Sequence, residues 1–260
     1  MQTISTFNYR NPGRMSDNDG PAFVAYSKIG YSGASATVDL GNTKVNGALS
    51  NGKFINAYIF LGIDVFGETE WENCVDVGFA WAGAKGGWHL FYNLFLKYDG
   101  TRFEWWESSN TLPQDDIYDL SCKLIAEEEV LFTAKGRTSG VEESVRFKLR
   151  HAKLDGSNTS CLFNCALDFP PESKIDRNGD PCEDWPEIVL GNTDKGGCLK
   201  NLTVTDMTLY TGTESTKWTN EKNSDIGIWP DASFTVFDYA PTIVDCMDGS
   251  AYHIRLDMDR

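Results

Sequence analysis

Apolar and polar positions alternate with a period of two along much of the region 55–98. In 74–81, Val75, Val77, Phe79 and Trp81 form one set, and Asp76, Gly78 and Ala80 the other. In 55–64, Ile55, Ala57, Ile59, Leu61 and Ile63 alternate with Asn56, Tyr58, Phe60, Gly62 and Asp64. Successive strand side chains point to opposite faces, so each set predicts one face of a strand. The next run, GWHLFYNLFLKY, is apolar almost throughout. Periodicity there leaves two choices open: His89, Phe91 and Asn93 share the face of Asp76, or Trp88, Leu90 and Tyr92 do.

Runs rich in β-branched and aromatic residues predict further strands at 22–29, 34–40, 102–106, 120–126, 129–135, 144–150, 160–167, 187–190, 199–210, 233–238 and 251–256. Asn51-Gly52, Asp99-Gly100, Asp155-Gly156, Asn178-Gly179 and Asp248-Gly249 supply turns. No segment has helical periodicity beyond about two turns. This pattern predicts an all-β protein, an antiparallel two-sheet β-sandwich of jelly-roll type, with a groove on a concave sheet face. The expected organisation is one domain over 1–260, with 1–21 as an extended N-terminal arm and 170–186 as a loop insertion.

Charge and composition narrow the partners. The net charge of −15 argues against nucleic acid and against an anionic membrane surface. No run approaches the roughly 20 apolar residues that span a bilayer, so membrane insertion is not expected. The N-terminus lacks the basic-then-apolar layout of a secretory signal. Seven cysteines allow three disulfides with one left over, and with the acidity they favour an extracellular or cell-surface location. No CxxC pair occurs and only three His are present, which argues against zinc.

Three constellations carry candidate chemistry. In 176–187, the oxygen-bearing Asp176, Asn178, Asp180, Asp184 and Glu187 fall at positions 1, 3, 5, 9 and 12 of a twelve-residue window. Hard cations take six to eight oxygens at such spacing, which points to structural calcium. Pro181 replaces the usual turn glycine, and the competing reading is an acidic surface loop. Second, Phe103-Glu104-Trp105-Trp106-Glu107 puts its two indoles on opposite faces of a strand, one expected buried and one exposed. An exposed indole beside a carboxylate suits stacking on a sugar ring. Third, the polar face carrying Tyr58, Asp64, Asp76 and either His89 or Tyr92 predicts a binding groove, against the alternative of a plain solvated face.

The chain is similar in its middle to concanavalin A-like lectin and glucanase jelly rolls. Within that group, Phe60-Leu-Gly-Ile-Asp64 and Cys74-Val-Asp-Val-Gly-Phe79 resemble a stretch of the fungal glutamic peptidases. The resemblance implies a sandwich fold. The position matching that family's catalytic Gln is Asp76, and its catalytic Glu has no counterpart here. A carboxylate in place of the Gln lacks the amide N–H that would donate to an oxyanion.

These readings converge on a glycan-binding module, with Trp105 or Trp106 and Tyr58 stacking on sugars and Asp76 and Glu104 accepting hydroxyl hydrogen bonds. One alternative is an enzyme degrading polysaccharide or peptide, with Asp76 and Glu104 as a carboxylate pair. Another is a self-associating structural protein that uses the N-terminal arm.

Overall fold

The computed structural model describes residues 2–3, 21–49, 52, 54–67, 71–83, 86–96, 102–168, 196–229, 242–246 and 250–257. The calcium window at 176–187, the expected strands at 187–190 and 233–238, the 170–186 insertion and most of the 1–21 arm lie outside these residues.

Strands account for most of the described chain. They are β1 (Gln2–Thr3), β2 (Ala22–Ser27), β3 (Gly33–Asp39), β4 (Lys44–Asn46), β5 (Asn56–Phe66), β6 (Trp71–Trp81), β7 (Trp88–Leu96), β8 (Arg102–Glu107) and β9 (Ile117–Ala126). They continue with β10 (Glu129–Gly136), β11 (Glu142–Lys148), β12 (Thr159–Asp168), β13 (Cys198–Thr211), β14 (Glu214–Lys217), β15 (Asn223–Trp229), β16 (Ile243–Cys246) and β17 (Tyr252–Asp257). Among the described residues the helical structure is one short 3-10 turn at Asn220–Lys222. Within the described residues the alternating runs of the sequence are strands, as expected. Of the strands it missed, β4 (KVN) and β14 (ESTK) are too short and polar to show alternation, whereas β15 (NSDIGIW) and β16 (IVDC) carry apolar residues that the strand expectations above do not include.

Two antiparallel sheets pack face to face as an open sandwich. One has seven strands in the order β15-β2-β12-β5-β6-β7-β8. The other has ten, in the order β1-β16-β17-β13-β3-β9-β10-β11, with β4 and β14 also paired to the long β13. Ile59, Leu61, Ile63, Val75, Val77 and Phe79 are fully buried between the layers, where the period-two pattern places them. Aromatic pairs tie the sheets together. Phe79 meets Tyr118 edge-on at 5.2 Å between ring centroids, and Phe23 meets Tyr252 at 5.1 Å. Burying such side chains contributes about 1.5–3 kcal/mol each, before the entropy of ordering them is set against it.

The cysteines correct one expectation. No two of the described cysteines are joined by a disulfide. Cys122, Cys161 and Cys165 are instead fully buried among apolar side chains, and burial pushes each thiol upward from its ordinary pKa. Such thiols pack as small hydrophobes.

Candidate functional site

Register assembles the site on the outer face of the seven-stranded sheet. Residues directly opposite one another on paired strands share a face. Leu162, Gly62, Asp76, Asn93 and Trp105 lie in one continuous row across β12, β5, β6, β7 and β8. The next row is Val24, Asn164, Phe60, Gly78, Phe91 and Glu107. A third holds Ala166, Tyr58, Ala80 and His89, and on the far side of the first row Ser160, Asp64 and Cys74 stand in line.

This resolves the phase of β7: His89, Phe91 and Asn93 join Asp76, while Trp88, Leu90 and Tyr92 face the other sheet. The outer face is not the solvated surface that the sequence left as an alternative. Asp76 is 7% exposed, His89 5% and Asn164 3%, and Asp64, Asn93 and Tyr58 are buried as well. Their apolar neighbours Val24, Phe60, Phe91 and Leu162 form a second hydrophobic cluster on this side of the sheet. A polar row thus runs through an aromatic and aliphatic bed.

Glycine makes the central row possible. A Cβ on Gly62 would collide with Asp76 Oδ1 and sit 2.9 Å from the Val75 carbonyl. The Asp76 carboxylate occupies the space that the missing side chain leaves. Close approach of this kind is a standard use of strand glycine.

His89 Nδ1 lies 3.0 Å from the Ser108 carbonyl, which can only accept, so Nδ1 carries the proton. In the neutral ring Nε2 is then a bare acceptor, buried without a hydrogen-bond partner among the described residues; Asn164 Oδ1 is in the same state. Buried polar atoms of this kind are uncommon, because leaving one without a partner costs about 1–3 kcal/mol.

At the end of the row stands Trp105. Its indole stacks on Phe91 with centroids 5.0 Å apart and planes 22° apart. Tyr58 braces it edge-on at 5.9 Å, and the Tyr58 hydroxyl accepts from Asn56 Nδ2 at 3.3 Å. Trp105 nevertheless remains 42% exposed. Glu107 shares its face two residues on and is half-buried.

Three predicted site residues belong elsewhere. Tyr92, Glu104 and Trp106 lie on the opposite face of the sheet, toward the ten-stranded layer. There the Tyr92 hydroxyl donates to Glu104 Oε1 at 2.8 Å, Trp106 stacks on Tyr92 at 5.5 Å, and Phe147 of β11 meets Tyr92 edge-on at 4.8 Å. Burial, then the Glu104 hydrogen bond and charge, raise the Tyr92 phenol above its ordinary pKa. Asp76 and Glu104 are thus separated by the sheet and do not form one acid–base pair. The expectation of one buried and one exposed indole also fails: Trp106 is 39% exposed, nearly as much as Trp105. β8 ends the described strand order of its sheet, where each indole is covered on one side only, by Phe91 or by Tyr92. Asn93, Phe91, Asn164 and Glu107 join the site through register, which no local pattern encodes.

Among the described residues no cluster of three or more His, Cys, Asp or Glu side chains has the geometry to hold a metal ion. No described helix is long and apolar enough to cross a membrane.

No known family's sequence profile matches this chain, and no curated protein matches it. Solved structures similar to it include scytalido-glutamic peptidase with a transition state analog inhibitor, at 14% identity and a TM-score of 0.49, covering 91% of this chain and 97% of the peptidase. Aspergilloglutamic peptidase from Aspergillus niger matches at 12% identity and a TM-score of 0.40, over 77% of this chain and 98% of that one. A GH16 protein of the Bacteroides ovatus mixed linkage glucan locus, in complex with a G4G4G3G product, matches at 12% identity and a TM-score of 0.39, over 72% of this chain and 88% of that one. These are the two groups whose strand residues the sequence resembles.

Proposed function

We propose that the chain binds a glycan at the β8 end of the seven-stranded sheet, outside the cell. The observation that carries this reading is the Trp105 indole, held flat by Phe91 and edge-on by Tyr58 yet 42% exposed. A rigid exposed ring loses little side-chain entropy when a sugar stacks on it, and its flat face matches the apolar face of a pyranose. Glu107, on the same face, supplies an acceptor for sugar hydroxyls. Asn93 and Asp76 continue the polar row inward from the platform.

Glycan-array binding of the wild type beside Trp105→Ala and Trp106→Ala tests this. Loss of binding in Trp105→Ala with retention in Trp106→Ala supports the platform. Equal binding by all three proteins would overturn it.

A second reading is hydrolytic. Asp64 and Asp76 are both buried on the outer face and are diagonal neighbours across β5 and β6. Diagonal strand neighbours stand about 7–8 Å apart, inside the separation that glycosidase carboxylates use. Release of reducing ends from a bound glycan, abolished in Asp76→Asn, would favour this reading over simple binding.

A further inference from the structure

The outer face of the ten-stranded sheet has a different character. Thr208, Ser35, Ser121, Thr133 and Ser144 lie in one row across β13, β3, β9, β10 and β11. Each of these five strands contributes a small hydroxyl residue to it. The adjacent row on one side is Thr205, Thr37, Asp119, Lys135 and Glu142. On the other side it is Tyr210, Gly33 and Lys123. Small side chains between two rows of long ones make a trough, and a cavity of about 500 Å³ lies along it. That volume is in the range of small-molecule sites.

Hydrogen bonds and ion pairs link the wall side chains. Arg137 donates to both Asp119 oxygens, at 2.7 and 3.0 Å, and to Thr37 Oγ1 at 3.0 Å, while Thr37 donates to Asp119 at 2.8 Å. Lys135 pairs with Glu142 at 3.2 Å. Opposite them, the Tyr210 hydroxyl is 3.0 Å from Ser35 Oγ, and the Lys123 ammonium sits 4.4 Å from the Tyr210 ring centroid. Gly33 is required here, because the Lys123 stem crosses the space that a Cβ would fill. At one end, Asp206 lines the cavity from the bulge in β13, with a left-handed backbone (φ 54°) unusual for a non-glycine residue.

Two features select the class of ligand. The floor hydroxyls of Ser121 and Thr133 make no hydrogen bond to any described residue, so both are available as donors and acceptors. Arg137 is matched by Asp119, Lys135 by Glu142, and the Lys123 ammonium lies over the Tyr210 ring, so an anionic ligand would have to displace an existing contact and would also face Asp206. A second copy of the chain is also a poor fit, since the centres of self-association interfaces are apolar and this floor is hydroxyl-lined.

We propose that this trough is a second carbohydrate site, taking an uncharged oligosaccharide laid across β3, β9 and β10. The three floor hydroxyls, on Ser35, Ser121 and Thr133, span about 10 Å at the ordinary strand spacing. Asp206 accepts from sugar hydroxyls at the end of the trough, and Tyr210 packs against a ring. The proposal does not rest on the β8 platform, which lies on the other sheet.

Isotope-labelled protein is titrated with three neutral hexasaccharides, β-1,3-, β-1,4- and α-1,4-linked glucose, and the amide resonances of Ser35, Ser121, Thr133 and Tyr210 are followed. With at least one sugar these amides should shift saturably. Thr133→Val, which keeps side-chain volume and loses the hydroxyl, should weaken that binding about tenfold. Ser121→Leu, which fills the floor, should abolish it. Trp105→Ala should leave it unchanged. The proposal is overturned if no hexasaccharide moves these amides, if sodium sulfate moves them equally, or if the shifts follow protein concentration instead of sugar. The β8 platform is read independently in the same titration, from the Trp105 indole N–H resonance.

Discussion

Trp105 lies on Phe91 as one ring stacked on another, 5.0 Å between centroids, although the two residues are not directly opposite in the β7–β8 ladder. Phe91 is buried while Trp105 is the exposed end of the pair. The platform is therefore a buried ring presenting an exposed one.

Phe91→Leu should keep the fold and loosen the platform. Phe91→Ala, by contrast, should cost about 3–5 kcal/mol of stability through the cavity it leaves. In Phe91→Leu, glycan affinity should fall about tenfold, with weaker backing of the indole as the cause. Calorimetric titration beside thermal melts separates the two effects. Unchanged affinity in a folded Phe91→Leu would mean that Trp105 does not need its backing.

Trp105→Ala and Trp106→Ala should part company. Both remove a partly exposed indole stacked on an aromatic ring, so similar modest losses of stability are expected, about 1–3 kcal/mol. Only Trp105→Ala should reduce glycan binding, because Trp106 faces the ten-stranded sheet with Tyr92. Identical binding losses would refute the assignment of faces.

Gly62→Ala should destabilise the protein by about 1–3 kcal/mol, since its Cβ meets Asp76 Oδ1 and the Val75 carbonyl. The double variant Gly62→Ala/Asp76→Ala should lose less than the sum of the single losses, by about 1 kcal/mol, because removing the carboxylate clears part of the clash. Strict additivity in denaturant melts would show that Asp76 does not rest over Gly62.

Asp116 gives the fold a pH dependence of predictable sign. Its carboxylate is 2% exposed and accepts hydrogen bonds from the backbone N–H groups of Ile117, Thr138 and Ser139 and from Ser139 Oγ, at 2.6 to 2.9 Å. Burial favours the neutral form, but these four bonds outweigh it and hold the carboxyl well below the ordinary Asp value of 3.8. A depressed folded pKa stabilises above the unfolded pKa and is lost as pH falls toward the folded one. Melting temperature should therefore drop between about pH 5 and pH 2. Asp116→Asn should be less stable at neutral pH by about 1–3 kcal/mol and show a shallower acid slope. Parallel pH profiles for the two proteins would rule out Asp116 as the source.

Calcium should raise the melting temperature relative to EGTA if the oxygen spacing in 176–187 holds a cation, since a ligand that binds only the folded chain must stabilise it. Asp176→Ala with Glu187→Ala should erase the difference. A melting temperature that ignores calcium in the wild type would remove calcium from the reading.

Legibility differed between strands for identifiable reasons. In β6, apolar and polar positions alternate, so the division between Val75, Val77, Phe79 and Trp81 and the face of Asp76 was readable directly. In β7 both faces are buried, with Leu90 and Leu94 on one and His89 and Phe91 on the other. Alternation carries no polarity signal there, and only pairing with β6 fixed the phase. In β8 the opposite holds: Trp105 and Trp106 are both partly exposed on opposite faces, so alternation cannot say which indole is the platform. Glu104 was placed beside Asp76 by chemistry alone, and the register through Leu94 put it across the sheet.

What the sequence determined by itself was the class of fold and the inward face of its central strands, because period-two burial is a local property of a strand. What only the tertiary structure decided was which residues meet. Asp76, Asn93 and Trp105 come from three strands, and so do Ser35, Ser121 and Thr133 on the other sheet. Their alignment depends on inter-strand register, which backbone hydrogen bonds and packing set across long stretches of chain and no single strand encodes.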